Sequence, residues 1–248
     1  MTIHQARIAG LPLMNLIRFK GTPIFQQLQL EERLLRTSSD NWCIINDGTN
    51  APAIVMGMSG RFTGGGTVIV DHGTVFITFI CNKDAVPDVQ PYPRSIMSWS
   101  SLLYSEVFRG IDNFQLREND YVFGNCKFGG NAQSITKKRW IHHTSFLWDY
   151  EDMNMAYLKL PEQAPEYRLA RGHMEFVCRM KDYLPNFVFI ENTVKAIETH
   201  FSVNPVNLES IVAPCDKEFV HSTRLLAKEE LEEAYACPAK SQSHQLSS

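Results

Sequence analysis

From its amino-terminal end the chain alternates short apolar runs with one clear amphipathic stretch. Leu11–Phe19 (LPLMNLIRF) has the length and apolar density of a first strand. Ile24–Arg36 (IFQQLQLEERLLR) follows, with Phe25, Leu28 and Leu35 close to one helical face and Gln, Glu and Arg largely elsewhere. Ser38, Ser39 and Asp40 close that helix. Trp42–Asn46 and Ala53–Met58 read as two short strands split by the turn residues Asp47-Gly48-Thr49-Asn50, and their continuous apolar character predicts burial on both faces of a sheet. Thr67–Val70 and Thr74–Ile80, separated by Asp71-His72-Gly73, have the pattern of a hairpin.

The proline-rich stretch Val86–Arg94 predicts a surface loop, and Ser95–Phe108 a helix with Ile96, Trp99, Leu103 and Val107 at helical spacing. Phe114–Phe123 and Lys127–Thr136 read as strands, Thr136-Lys137-Lys138-Arg139 as a charged turn, and Trp140–Trp148 as the returning strand. After Tyr150 the pattern becomes helical. Asp152–Leu158 is short, Gly172–Tyr183 and Phe187–Phe201 are longer, and Pro161, Pro165 and Pro185 punctuate them. Leu225–Tyr235 is a charged final helix whose Glu-rich run is a solvated face, and the last ten residues form a polar tail expected to be disordered. The sum is an α+β (α/β) fold, a mixed β-sheet with helices packed on it and a helical C-terminal portion. We expect a main domain over 1–205, a short helical extension over 206–238 and a tail over 239–248.

Composition narrows the function classes. At 248 residues, 44% hydrophobic and 21% charged, the chain is long enough for one sizeable core and ordinary for a globular protein. A net charge of −3 gives no basic signature, which argues against nucleic acid as the partner. Six cysteines occur singly, without metal-ligand spacing, and are expected as reduced thiols of an intracellular compartment. No apolar run approaches a membrane span. The first thirty residues lack Asp and Glu and carry Arg7, Arg18 and Lys20, a bias shared with organelle presequences. Little chain precedes the first strand, so a cytoplasmic location is expected, with mitochondrion or plastid as the alternative.

Two stretches carry candidate chemistry. In Arg61–Ile80 (RFTGGGTVIVDHGTVFITFI), Gly64, Gly65 and Gly66 sit between an arginine and β-branched residues. Such a loop can turn successive amides toward a carboxylate or phosphate, with Arg61 adding fixed charge; it can equally be a softened turn without a ligand. The second stretch, Asn119–Asp149, holds Lys127 two residues before Gly129-Gly130, and the adjacent His142 and His143. An ammonium beside open backbone at Gly129 suits an anionic oxygen, although a lone strand lysine is more often simply exposed. The two histidines must face opposite sides of their strand, so they cannot both touch one ligand.

Together these stretches resemble the lipoate–protein ligases of the biotin and lipoate protein ligase superfamily. The resemblance is carried by Arg61-Phe62-Thr63-Gly64-Gly65-Gly66, Asp71-His72-Gly73-Thr74, Asn119-Asp120, Lys127-Phe128-Gly129-Gly130-Asn131-Ala132-Gln133 and His142-His143, and extends from Leu11 to Lys159. It implies that lipoate or octanoate is activated by ATP to an acyl-adenylate and passed to a lysine of an acceptor. The implied acceptors are lipoyl domains of 2-oxo acid dehydrogenase E2 subunits or the glycine cleavage H protein. By the same resemblance, Arg61 and Gly64–Gly66 form the acyl-adenylate loop, and Lys127 holds carbonyl and phosphate oxygens. Asn119 and Asp120 lie against the phosphate, with Asp120 helping Mg²⁺. Gly129, Gly130, Asn131 and Ala132 flank the nucleotide. His143 is a candidate for the lipoyl tunnel wall, as are Val68, Val70 and Phe76, for which plain core packing is the competing role.

The chain departs from the family pattern in three places. A loop and strand that the family carries between the Gly57-Met58-Ser59-Gly60 end of the early strand and the arginine are missing, so Gly60 is fused directly to Arg61. Such a loss can leave a variant inactive. Thr144-Ser145 follows the histidines where many members have glycine then threonine. The stretch after Phe201 does not read as the accessory domain of many ligases, which makes a separate accessory subunit a conceivable partner. Two competing functions remain. One is an octanoyltransferase without ATP, which needs an activated cysteine. The other is a binding protein that has lost catalysis.

Overall fold

A computed structural model describes residues 10–57, 66–161, 164–208, 211 and 219–230. The chain opens with β1 (Leu13–Lys20), α1 (Ile24–Thr37), β2 (Trp42–Asp47) and β3 (Ala53–Met56), continuing through β4 (Thr67–Val70), β5 (Thr74–Asn82) and α2 (Pro93–Val107). Next come β6 (Phe114–Arg117), β7 (Asp120–Phe123), β8 (Cys126–Ile135) and β9 (Arg139–Leu147). The remainder holds α3 (Asp152–Met155), a 3-10 turn at Glu166–Arg168, α4 (His173–Phe176), a second 3-10 turn at Met180–Asp182, α5 (Asn186–His200) and β10 (Ser202–Pro205).

Eight strands form one mixed sheet in the order β10-β1-β2-β5-β9-β8-β7-β6. β1 runs parallel to both β10 and β2, and every other pairing is antiparallel. α1 makes the crossover that the parallel β1–β2 pair requires. Its first amide, Ile24 N–H, donates to Thr49 Oγ1 (3.2 Å) from the turn after β2, so strand and helix are tied at one corner. β5 lies at the centre and is apolar on both faces because both are covered.

One face packs on α2 and α5. Phe79, Trp99, Leu103, Tyr104, Phe108, Phe128, Trp140, Phe146 and Phe189 fill that layer. Trp99 meets Trp140 edge-on at 5.6 Å and Phe108 stacks on Phe189 at 5.7 Å. The opposite face takes α1, the β3–β4 pair and the 150–178 segment. Among the described residues no helix is long and apolar enough to cross a membrane.

The α+β fold is as expected; several local expectations are corrected. β4 and β5 are not a hairpin: β4 pairs with β3 in a separate two-stranded sheet, while β5 pairs with β2 and β9. Asp71 causes the break. Its Oδ1 accepts from Gly73 N–H and its Oδ2 accepts from Glu151 N–H and Asn154 Nδ2, which turns the chain from one sheet into the other. β3, expected to be buried on both faces, is accordingly half-exposed. Phe114–Phe123 is two strands, reversed at Glu118, which adopts φ +52°. Gly172–Tyr183 is not one helix, because Val177 and Cys178 leave helical geometry to bridge β8. In α1, Gln27, Glu31 and Glu32 are fully buried rather than solvent-facing, each held by partners from elsewhere in the fold. β10 was not expected and extends the sheet beside β1.

Candidate functional site

Lys127 stands on β8 at a step in strand register. Val122 pairs with Lys127 but Tyr121 pairs with Gly129, so Phe128 is an extra residue on β8. That bulge inverts the expected neighbour of the lysine. A Cβ on Gly129 would meet Phe146 Cδ1 at 2.9 Å and Tyr121 Cδ2 at 3.0 Å, inside the aromatic layer. A Cβ on Gly130 would instead lie 3.2 Å from both Cε and Nζ of Lys127. The open backbone beside the ammonium is therefore at Gly130. Gly129 is glycine because Phe146 and Tyr121 leave no room.

Asp120, at the start of β7, reaches the same face. Its Oδ1 lies 2.7 Å from Lys127 Nζ, with the lysine side chain 28% exposed and that of Asp120 12%. Asp120 Oδ2 accepts from the hydroxyl of Tyr167 at 2.8 Å. Neighbouring Asn119 is exposed in the β6–β7 turn, and its carbonyl accepts from Asn131 Nδ2 (2.6 Å), which binds that turn to β8. Ala132 pairs in register with His143. Lys127, Asp120, Gly130 and Ala132 thus come together on one half-open face, whereas Gly129 does not join them.

The paired histidines part as alternation requires. His142 turns toward α2 and is fully buried. Gln133 Nε2 donates to its Nδ1 (3.1 Å), and its Nε2 lies 3.2 Å from both Tyr121 Oη and Thr144 Oγ1. Burial, with His143 adding to it, pulls the His142 pKa down to about 3, so the ring stays neutral. His143 faces α1. Its Nδ1 lies 3.0 Å from each carboxylate oxygen of Glu31, which also accepts from Gln27 Nε2 and Thr78 Oγ1, both at 2.7 Å. The ring packs beside Phe76 at 5.7 Å. His143 is thus the end of a buried polar network. Val70 and Phe76 pack with Ile24 and Leu28 of α1 as core, and Val68 is partly exposed.

Arg61, Gly64 and Gly65 lie outside the described residues. Gly66 is described, and its carbonyl accepts from Gly57 N–H at 3.1 Å at the open end of the β3–β4 ladder. Residues 58–65 connect those two strands. Ile69 of β4 packs with Leu147 and with Val177, the residue bridged to Lys127, so β4 is anchored on the face that carries the lysine.

Each Asp120 oxygen carries one bond, to Lys127 or to Tyr167, and keeps a lone pair, so Asp120 would hold magnesium only together with nucleotide phosphates and water. Among the described residues no group of three or more His, Cys, Asp or Glu is placed to hold a metal ion. Cys178 lies near Lys127 in the fold, but burial pushes its thiol up to about 12, opposite to what a nucleophile needs.

Comparison with known proteins identifies the fold. The model of the lipoyl protein ligase A/B catalytic domain matches residues 23–202. The chain belongs to that family. Among curated relatives of this ligase domain, it is 27% identical over 260 aligned residues to inactive lipoate–protein ligase 2 of Plasmodium falciparum, covering 71% of this chain and 66% of the relative. It is 28% identical over 142 residues to a probable lipoate–protein ligase A of Mycoplasma genitalium, covering 54% of this chain and 40% of that one. The chain therefore spans less than two thirds of the length of either. The Plasmodium alignment exceeds this chain's own 248 residues, so that relative carries internal residues absent here.

Solved structures share the fold at low identity. A bipartite lipoate protein ligase of Thermoplasma acidophilum, solved in work on its lipoylation system with an E2 lipoyl domain, superposes with a TM-score of 0.64 at 16% identity, over 81% of this chain and 89% of that one. Lipoate–protein ligase A bound with ATP gives 0.61 at 14%, over 80% and 89%. P. falciparum LipL1 in complex with lipoate gives 0.61 at 16%, over 81% and 69%.

Local pattern reading missed three contributors to this candidate site. Tyr167 lies in a proline-flanked stretch without periodicity, Val177–Cys178 lies inside a run that reads as helix, and Glu31 lies on a helix where charge implies solvent. Only the fold brings them to Lys127 and His143.

Proposed function

We propose that the chain binds a lipoyl or octanoyl group as its adenylate on the Lys127 face and passes it to a lysine of an acceptor domain. The observation that carries this reading is the Lys127 ammonium, half-open to solvent beside Gly130 and already held on an oxyanion, the Asp120 carboxylate, at 2.7 Å. In the first step the acid's carboxylate oxygen bonds to the α-phosphorus of ATP and pyrophosphate leaves. In the second the acceptor ε-amine attacks the acyl carbon, AMP leaves, and the amine loses its proton. Both steps gather negative charge on oxygen, where a pre-placed ammonium lowers the barrier without reorganisation. Lys127 is assigned to those oxygens, and Arg61 with Gly64–Gly66 to the anion loop. Magnesium would enter only with the nucleotide, and no step is assigned to it.

Lipoyl domains are the proposed acceptors, supported by the E2 lipoyl domain of the archaeal system. That ligase's bipartite construction supports a separate accessory subunit here. A second reading is favoured by one specific observation, the likeness to a Plasmodium protein named inactive together with the direct Gly60–Arg61 junction. On that reading the chain binds a preformed acyl-adenylate without making it.

The test incubates purified protein with an apo lipoyl domain and reads the domain's mass. Gain that requires ATP and lipoate or octanoate supports the ligase, and Lys127→Ala abolishes it. Binding of acyl-AMP without gain from any donor supports the second reading. Gain only from an acyl-carrier protein would overturn both in favour of a transferase.

A further inference from the structure

We infer that Tyr167 is the positioning residue for Lys127, acting through Asp120, and that the segment containing Tyr167 clamps the lysine from two directions. The inference rests on the role given to Lys127 above. A lysine is a point charge on a flexible stem, and an ammonium that must meet a transient oxyanion has to be held within a fraction of an ångström. A single ion pair does not achieve that, because a carboxylate bonded through one oxygen still pivots about its side-chain torsion. Here the second oxygen is fixed as well. Tyr167 Oη donates to Asp120 Oδ2 at 2.8 Å while Lys127 Nζ sits 2.7 Å from Oδ1, so the carboxylate plane and the ammonium are set together.

The phenol is itself immobile. Tyr167 is 95% buried, packed on Phe176 at 5.2 Å, with the Arg117 guanidinium 4.6 Å over its ring. Burial first, and then the adjacent Asp120 charge, drive its ionisation far above the ordinary tyrosine range, so the hydroxyl remains a donor. The same segment grips the lysine's backbone ten residues later. Val177 bridges Lys127 in parallel fashion, and Cys178 N–H donates to the Lys127 carbonyl at 2.9 Å. Phe176, which backs Tyr167, directly precedes that bridge, so side-chain and main-chain holds share one hinge of packing. The one hydroxyl proton of Tyr167 is committed to Asp120.

The test is competitive labelling of the full-length protein with trace acetic anhydride, with Lys127 acetylation read by peptide mass and normalised to the exposed Lys195. Tyr167→Phe keeps the ring and its packing and removes only the hydroxyl. It is expected to raise Lys127 labelling about tenfold, the factor that corresponds to a lost charge-assisted hydrogen bond. Asp120→Asn should raise it at least as much, and the double variant no further than Asp120→Asn alone. Phe176→Leu, which loosens the ring but keeps the hydroxyl, should give a smaller rise. Wild-type labelling in Tyr167→Phe alongside fast labelling in Asp120→Asn would overturn the inference. With ATP-dependent turnover, Tyr167→Phe should lower kcat and leave KM for the acid nearly unchanged; a rise in KM alone would count against positioning. Absence of turnover in the wild-type chain would refute the ligase reading, and the labelling ratios would still decide the clamp.

Discussion

Acidification should unfold this protein in part through one residue, His142. Its ring is fully buried against Gln133, Tyr121 and Thr144, with Ser100 behind the tyrosine at 2.7 Å, and the adjacent His143 is a second titratable ring that adds to the cost of charging it. Burial disfavours the imidazolium, with His143 adding to it, and the folded pKa falls from 6.5 to about 3. The sign follows directly. Between those values the unfolded chain binds a proton that the folded chain refuses, so stability is complete above pH 6.5 and is lost as pH falls toward 3. The loss amounts to roughly 3 kcal/mol by pH 4.5. That is a large share of a typical domain's stability. The assay is urea unfolding of wild type and His142→Gln across pH 4.5–7.5. The glutamine costs a roughly constant offset, and carboxylates titrating in both proteins cancel in the difference. The stability advantage of wild type should shrink by roughly 3 kcal/mol on acidification. Parallel profiles, with a difference flat to within about 0.5 kcal/mol, would show that His142 is not held neutral and would refute the reasoning.

The two adjacent glycines should respond differently. Gly129→Ala forces a methyl against the buried Phe146 and Tyr121 rings and should cost about 1–3 kcal/mol in thermal or urea unfolding, whereas Gly130→Ala meets only the end of Lys127 and should leave stability nearly unchanged. Glu31→Ala strands the Gln27 amide donor and leaves Thr78 Oγ1 and His143 Nδ1, 3.0 Å apart, to pair with each other, and should destabilise by about 1–3 kcal/mol in the same assay. Glu32 anchors the C-terminal segment to α1 by accepting from Ser222 N–H at 2.9 Å and Thr223 N–H at 3.1 Å. Glu32→Ala should therefore expose residues 219–224 to limited proteolysis, with cleavage fragments read by mass, at a cost of about 1–3 kcal/mol.

The order of elements was legible from the chain because each element carries its own periodicity. α1 and α2 show helical spacing, and the central strands are continuous apolar runs. Where the reading failed, a side chain from far away had overruled local pattern. Asp71 sends β4 and β5 into different sheets by holding Glu151 and Asn154. The run from Gly172 breaks because Val177 is worth more as a bridge to Lys127 than as another helical turn. Glu31 and Glu32 look like solvent residues on a helical wheel, yet each is fully buried with its acceptors filled by distant donors.

For the candidate site, residue types and their spacing marked Lys127, the glycine pair and the divided histidines as candidates, and the family resemblance added Asp120. Charge, backbone freedom and strand alternation are properties of neighbours in sequence. Which glycine stands beside the ammonium was not decidable at that level, because one extra residue at Phe128 reverses the facing of everything before it. Nor was the partner of Asp120. Tyr167 lies 47 positions away along the chain. Nothing local ties a phenol in a proline-flanked stretch to a carboxylate at a strand end. That pairing exists only once β9 and the segment after it have folded back across the sheet. Position along the chain supplies the charges; only packing supplies the angles at which they meet.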